Sequence, residues 1–161
     1  HPFRQRPRFL VRPATIEQES MVANDNAFER DKLIRFHHCD PAGIVFYPQY
    51  FILFNELVED WFNHGLRCDY ADMVYAQRLG TPMVRVECDF LSPSKIGEML
   101  TLRLLVHRIG RSSLGLRVEG VSGGVPRVRA QLTVVLANVD TLRSVPFPPE
   151  LRAGIERYLA A

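Results

Sequence analysis

The sequence predicts an α+β fold in which an antiparallel sheet wraps around one long central helix. Three observations carry that prediction. Residues from about Pro48 to His64 repeat apolar side chains at helical spacing. From Met83 onward the apolar period changes to two, as in half-buried strands. Tight-turn residues then interrupt the alternation at hairpin intervals.

Taken in order, residues 1–26 read as an N-terminal extension, a tag or an arm, with Met21 a candidate start, and residues 27–161 as a single domain. The first 20 residues hold four arginines against two glutamates, which leaves 16 basic and 16 acidic residues in the rest. A neutral body argues against a nucleic-acid-binding surface. Residues 30–38 read as a strand, on which His37 and His38 would point to opposite sides. One of them could reach a pocket; a satisfied structural histidine is the plainer role.

Asp40-Pro41-Ala42-Gly43 breaks that strand. Pro41 disfavours the helical region at Asp40, and Gly43 permits a turn or a close approach to a ligand. The helix that follows places Phe51, Phe54, Leu57, Val58, Trp61 and Phe62 on one apolar stripe. Asn55, Glu56, Glu59, Asp60 and Asn63 lie on the other side. Pro48 suits the first turn, where its missing N–H has no partner to lose. Gly65 suits a left-handed residue just past the end. The helix has little polar surface for its length, so the sheet should largely enclose it.

Residues 66–79 read as a short helix plus loop, and Gly80-Thr81-Pro82 as a turn. Met83–Leu91, Met99–Ile109, Ser113–Val121 and Val125–Val139 then read as four strands. Breaks fall at Ser92–Gly97, Gly110–Ser112 and Ser122–Gly124. Arg127, Arg129, Gln131 and Thr133 share one strand face, read as solvated. A proline-rich stretch leads to a short amphipathic helix ending near Leu159.

The chain has 161 residues, enough for a sizeable core. No apolar run reaches the ~18 residues of a membrane span. Cys39, Cys68 and Cys88 are odd in number and lack metal-ligand spacing. They predict neither a disulfide framework nor a zinc site, and they suit a reducing cytoplasm.

The chemistry concentrates where the Asp40 loop meets the helix. A helix start leaves N–H groups unpaired, at the positive end of its dipole. An acid held beside such donors suits acyl transfer: the carboxylate attacks or activates water, and the amides stabilise the oxyanion.

The run His38-Cys39-Asp40-Pro41-Ala42-Gly43-Ile44-Val45-Phe46-Tyr47-Pro48-Gln49-Tyr50, followed by Gly80-Thr81-Pro82, resembles the signature of hotdog-fold acyl-CoA thioesterases of the 4-hydroxybenzoyl-CoA thioesterase type. The resemblance covers about Ala27 to Leu159. It implies a hotdog fold and hydrolysis of an acyl- or aryl-CoA thioester to free acid and coenzyme A. It implies Asp40 as nucleophile or general base and the backbone N–H of Tyr47 as the group polarising the carbonyl. Gly43, Ile44, Val45 and Phe46 would line the acyl pocket. Arg108, Arg111 and Ser112 would meet the coenzyme A phosphates, often from a neighbouring subunit, with fewer basic residues than the 4-hydroxybenzoyl enzyme carries there. It further implies a homodimer or homotetramer with its sites at subunit interfaces. No metal is expected, and no cofactor beyond the coenzyme A of the substrate.

Rival readings follow from the same residues. Glu56 and Glu59 are alternative acids, since another branch of hotdog thioesterases uses a helix glutamate. A dehydratase on this fold would use a histidine, for which His38 is the candidate. Cys39 lacks a histidine–carboxylate pair to activate it. A non-catalytic acyl-CoA-binding module would need the pocket without the chemistry.

Overall fold

The computed structural model describes residues 26–160. The expected N-terminal extension lies almost wholly outside them. Strand β1 spans Phe28–Leu33, helix α1 Tyr47–Asp60, helix α2 Tyr70–Tyr75 and the short strand β2 Leu79–Gly80. Strands β3 (Met83–Phe90), β4 (Met99–Ile109), β5 (Ser113–Ser122) and β6 (Val125–Val135) follow, then β7 (Ala137–Asn138) and helix α3 (Pro149–Glu156).

Five strands pair antiparallel in the order β1-β4-β5-β6-β3, and β2 pairs with β7 in a separate ribbon. The alternation read from the sequence determines which side of each strand is apolar. Leu100, Leu102, Leu104 and Val106 of β4, Leu114, Leu116 and Val118 of β5, and Val128, Leu132 and Val134 of β6 all point inward. Against them α1 buries Tyr50, Leu53, Phe54, Leu57 and Val58. That contact is the main core, and the wrapped arrangement is the hotdog fold. No helix among the described residues is long and apolar enough to cross a membrane.

Several details differ from the sequence reading. The strand read over Val125–Val139 ends at Val135, and Ala137–Asn138 pair instead with Leu79–Gly80, which puts Gly80 of the expected turn in a strand. The predicted strand at 30–38 ends at Leu33, and Phe36–His38 form a turn of 3-10 helix instead. His37 and His38 therefore do not lie across a strand; His37 is exposed and His38 buried. Gly65 is not left-handed. It ends a wide, five-residue helical turn over Trp61–Gly65. Its lack of a side chain matters for space, because a Cβ there would lie 2.6 Å from the Trp61 ring and 2.9 Å from the Tyr158 hydroxyl.

Arg127 and Arg129 are not on a freely solvated face. Arg127 pairs with Glu98 at 3.0 Å, and Arg129 pairs with the buried Glu119 at 3.6 Å. Strand register explains the Arg129 pair: Glu29, Arg103, Glu119, Arg129 and Asp89 are successive neighbours across all five strands, alternating in sign. Finally, the sheet does not fully enclose α1. Ile52, Asn55, Glu56 and Glu59 remain exposed along one side.

Candidate active site

The Asp40 loop is a miniature hairpin. The Phe46 N–H donates to the His38 carbonyl at 2.9 Å, and the Asp40 N–H donates to the Ile44 carbonyl at 3.0 Å. Between them Cys39 faces Val45. At the tip the Gly43 N–H donates to the Asp40 carbonyl at 2.9 Å. Gly43 closes this turn with φ +75, a conformation that a Cβ penalises. The Asp40 side chain takes part, its Oδ1 accepting from the Ala42 N–H at 2.9 Å. Among the described residues that is the only hydrogen bond to the carboxylate, which is half-buried.

The returning arm of the hairpin continues directly into α1. Phe46 caps the helix with extended backbone, Tyr47 is the first helical residue and Pro48 the second. Pro48 has no N–H, and the Gln49 N–H is already donated to the Phe46 carbonyl at 2.9 Å. The first-turn donor left without an intrahelical acceptor is therefore the N–H of Tyr47. The open amide of Tyr47 and the Asp40 carboxylate thus belong to the two arms of the same bonded hairpin, with six residues between them.

A third segment fixes both. The Val45 N–H donates to the Ser94 carbonyl at 2.9 Å, and the Ile96 N–H donates to the Gly43 carbonyl at 3.0 Å. The loop between β3 and β4 thus adds a third short strand to the hairpin. Ser94 is buried, and its Oγ accepts from the buried Tyr50 hydroxyl at 2.8 Å. Neither Tyr50 nor Ser94 stood out in the sequence. A tyrosine on the inner side of a helix needs a partner for its hydroxyl, which was the available signal.

An aromatic rim flanks the Tyr47 amide. The Tyr47 ring lies 5.4 Å from Phe46, 6.4 Å from Phe51 and 6.0 Å from Phe90. Phe46, Tyr47 and Phe90 are each about half exposed. Phe90, at the end of β3, was read only as part of a strand. Val45 by contrast is buried in the core, with Gly43 and Ile44 half-buried beside it.

The rival groups sit elsewhere or are engaged. Glu56 and Asp60 approach the Lys32 ammonium of β1 at 3.5 and 3.1 Å, toward the sheet edge opposite β3. Glu59 is exposed. Burial, and then the Asp40 charge, pushes the Cys39 thiol above its ordinary range, against a nucleophilic role. His38 is buried, with its Nδ1 occupied by the Arg35 N–H at 2.9 Å.

Arg108, Arg111 and Ser112 occupy the opposite end of the sheet, at the β4–β5 hairpin. The whole of β4, roughly 30 Å, separates them from the Asp40 loop in one chain. Both arginines are exposed, while the hairpin backbone is anchored: Leu136 N–H donates to the Ser112 carbonyl and Phe147 N–H to the Arg111 carbonyl.

The sheet-wrapped helix is a fold shared with known proteins. The thioesterase-like superfamily profile matches residues 34–155. The chain belongs to the thioesterase-like superfamily. A thioesterase-superfamily structure from Jannaschia sp. CCS1 is 31% identical, with a TM-score of 0.78, covering 85% of this chain and 96% of that one. A 1,4-dihydroxy-2-naphthoyl-CoA hydrolase from Acaryochloris marina is 28% identical over 134 residues, 81% of this chain and 96% of the relative. A Staphylococcus aureus protein in complex with CoA shares the fold at 18% identity, with a TM-score of 0.74, covering 82% of this chain and 83% of that one. This thioesterase-like chain is accordingly an enzyme of the thioester-hydrolase class.

Proposed function

We propose that this thioesterase-like enzyme hydrolyses an aryl- or acyl-CoA thioester to the free acid and coenzyme A. One observation carries the reading: a single hydrogen-bonded hairpin joins the Asp40 carboxylate to the one open amide of α1, at Tyr47. In the general-base route, Asp40 takes a proton from water and the oxygen adds to the thioester carbonyl. The Tyr47 N–H receives the oxyanion. Collapse breaks the C–S bond, and the departing thiolate takes the proton from Asp40. In the nucleophilic route, Asp40 itself attacks, expels the thiolate, and water cleaves the resulting anhydride. Neither route calls for a metal or a cofactor apart from the coenzyme A of the substrate.

The acyl group is aryl, of the 4-hydroxybenzoyl or naphthoyl kind. Support comes from the rim of Phe46, Tyr47, Phe51 and Phe90 beside the amide and from the naphthoyl-CoA hydrolase among the relatives.

The working unit is a homo-oligomer, at least a dimer. Strand β3 is the sheet edge beside the aromatic rim, with Val84, Val86 and Phe90 exposed. Its Met83 end adjoins the β4–β5 hairpin side and its Phe90 end the Asp40 side. Antiparallel pairing of two β3 strands reverses one chain, so the partner's arginine-bearing hairpin falls at this chain's Asp40 end. That resolves the 30 Å separation of the phosphate-binding and catalytic groups. Three free cysteines suit a cytoplasmic setting.

Thiol release from benzoyl-, 4-hydroxybenzoyl-, 1,4-dihydroxy-2-naphthoyl-, hexanoyl- and acetyl-CoA tests the proposal. We expect the aryl esters to be cleaved best, and Asp40→Asn to lower kcat by about 10²-fold or more with the fold intact. Tight binding of the esters without thiol release would make the protein a binding module instead. Normal turnover by Asp40→Asn would remove Asp40 from the chemistry.

A further inference from the structure

One buried titratable group at the root of the Asp40 loop has no part in the chemistry above. His38 is 6% exposed. Its backbone N–H donates to the Arg35 carbonyl at 3.0 Å, and its Nδ1 accepts from the Arg35 N–H at 2.9 Å. Its carbonyl accepts from the Phe46 N–H at 2.9 Å. The side chain therefore fixes the turn before the loop, and the backbone fixes the residue before Tyr47. Asp40 lies two residues further on. Between them these bonds set where the carboxylate stands relative to the Tyr47 amide.

The Nδ1 bond also fixes the state of the ring. A nitrogen that accepts from an N–H carries no proton, so the imidazole is neutral with its hydrogen on Nε2. Protonation would set two N–H groups against each other and break the clamp.

We propose that His38 is a positioning residue whose neutral imidazole holds the Asp40 carboxylate and the Tyr47 amide at their working separation. This rests on the thioesterase reading of that pair. The charged and titratable groups facing the ring are His37 and Arg35 in its own segment, Lys32 of β1 and Glu56 of α1. Burial is the largest influence and lowers its pKa below the ordinary 6.5; His37, Arg35 and Lys32 lower it further, and Glu56 opposes them. The unfolded chain then takes up the proton first as pH falls. The clamp is intact above pH 6.5 and is lost as pH falls through the lowered value.

Asparagine is the conservative replacement, because its Oδ1 can stand where Nδ1 stands and accept from Arg35. Phenylalanine fills the space without an acceptor. With an aryl-CoA ester that the native enzyme cleaves, we expect His38→Phe to lower kcat by about 10- to 10²-fold at pH 8 with KM little changed. His38→Asn should retain kcat within a few-fold at pH 8, and its acid limb should move to lower pH than the native one. In the native protein, nitrogen NMR should show the Nε2–H tautomer, with the Phe46 and Tyr47 amides shifting as His38 titrates. A folded His38→Phe protein with native kcat, a His38→Asn protein as impaired as His38→Phe, or amides indifferent to the titration would each overturn the proposal. The NMR titration needs no substrate, so it tests His38 even if no ester is cleaved, the outcome that would instead defeat the thioesterase reading.

Discussion

The Tyr50 hydroxyl donates to Ser94 Oγ at 2.8 Å, across 44 residues of sequence and with both groups buried. The bond ties the first turns of α1 to the segment whose backbone also holds Val45 and Gly43. Ser94→Ala leaves a buried phenol without its acceptor, at about 1–3 kcal/mol. Tyr50→Phe strands the serine hydroxyl at a similar or smaller cost. Removing both groups together should cost less than the two single losses combined. Urea unfolding of the two single variants and the double variant measures this coupling; strict additivity would mean the bond adds nothing.

A second prediction concerns the free edge of β3. Val84 is 60% exposed there, so a lysine at that position does not disturb the core of one chain. Two β3 strands pairing across a two-fold axis would bring the two lysines to the interface. Val84→Lys should give a folded monomer by analytical ultracentrifugation, with thioesterase activity down at least about tenfold, because the partner's hairpin is no longer delivered to the site. A fully active native monomer would show that one chain completes the site alone.

What the sequence revealed follows the range of the interactions involved. The Asp40 turn and the start of α1 are local. Proline, glycine and the unpaired amides of a helix start determine them within a dozen residues, so the turn at Asp40 and the start of the helix were legible, while the part given to the Tyr47 amide came from the resemblance to the thioesterase signature. His38 is the satisfied structural histidine expected, but it was placed on a strand because two neighbouring histidines after an alternating run look like one. The deciding contact is an imidazole folding back on its own turn. Tyr50–Ser94, Arg127–Glu98 and Arg129–Glu119 depend on strand register and loop path. No local pattern encodes those. Gly65 shows a third limit: a helix-end glycine looks the same whether it supplies a left-handed turn or room for an indole.

The arginines of the β4–β5 hairpin give a third prediction. Arg108 and Arg111 are exposed, at the far end of β4 from the Asp40 loop in their own chain. If they hold coenzyme A phosphates, the double change Arg108→Ala and Arg111→Ala should raise KM by about tenfold or more and leave kcat nearly unchanged. Its KM should also respond less to salt than the native value. A drop in kcat at constant KM would assign these residues another role.

The cysteines supply a fourth. Burial, with the Asp89 charge adding to it, pushes the Cys88 thiol up to about 12, and burial raises Cys68 and Cys39 as well. The thiolate is the reactive form. At pH 8 a thiol titrating near 12 is ionised in only about one molecule in ten thousand. Cys88 should therefore resist alkylation until the chain unfolds, and its reaction rate should climb with pH well past the range where a free cysteine levels off. Cys39 adjoins Asp40 in sequence, so it is the informative position for mechanism. Cys39→Ala should keep kcat within a few-fold of native, whereas a cysteine nucleophile would lose nearly all turnover in that variant. Timed labelling with a thiol reagent, followed by peptide mass analysis and a turnover assay on the same sample, separates these outcomes. Loss of activity in step with Cys39 modification would leave open simple blockage of the loop, so the alanine variant decides: an inactive, folded Cys39→Ala protein would transfer the attacking role from the carboxylate to the thiol.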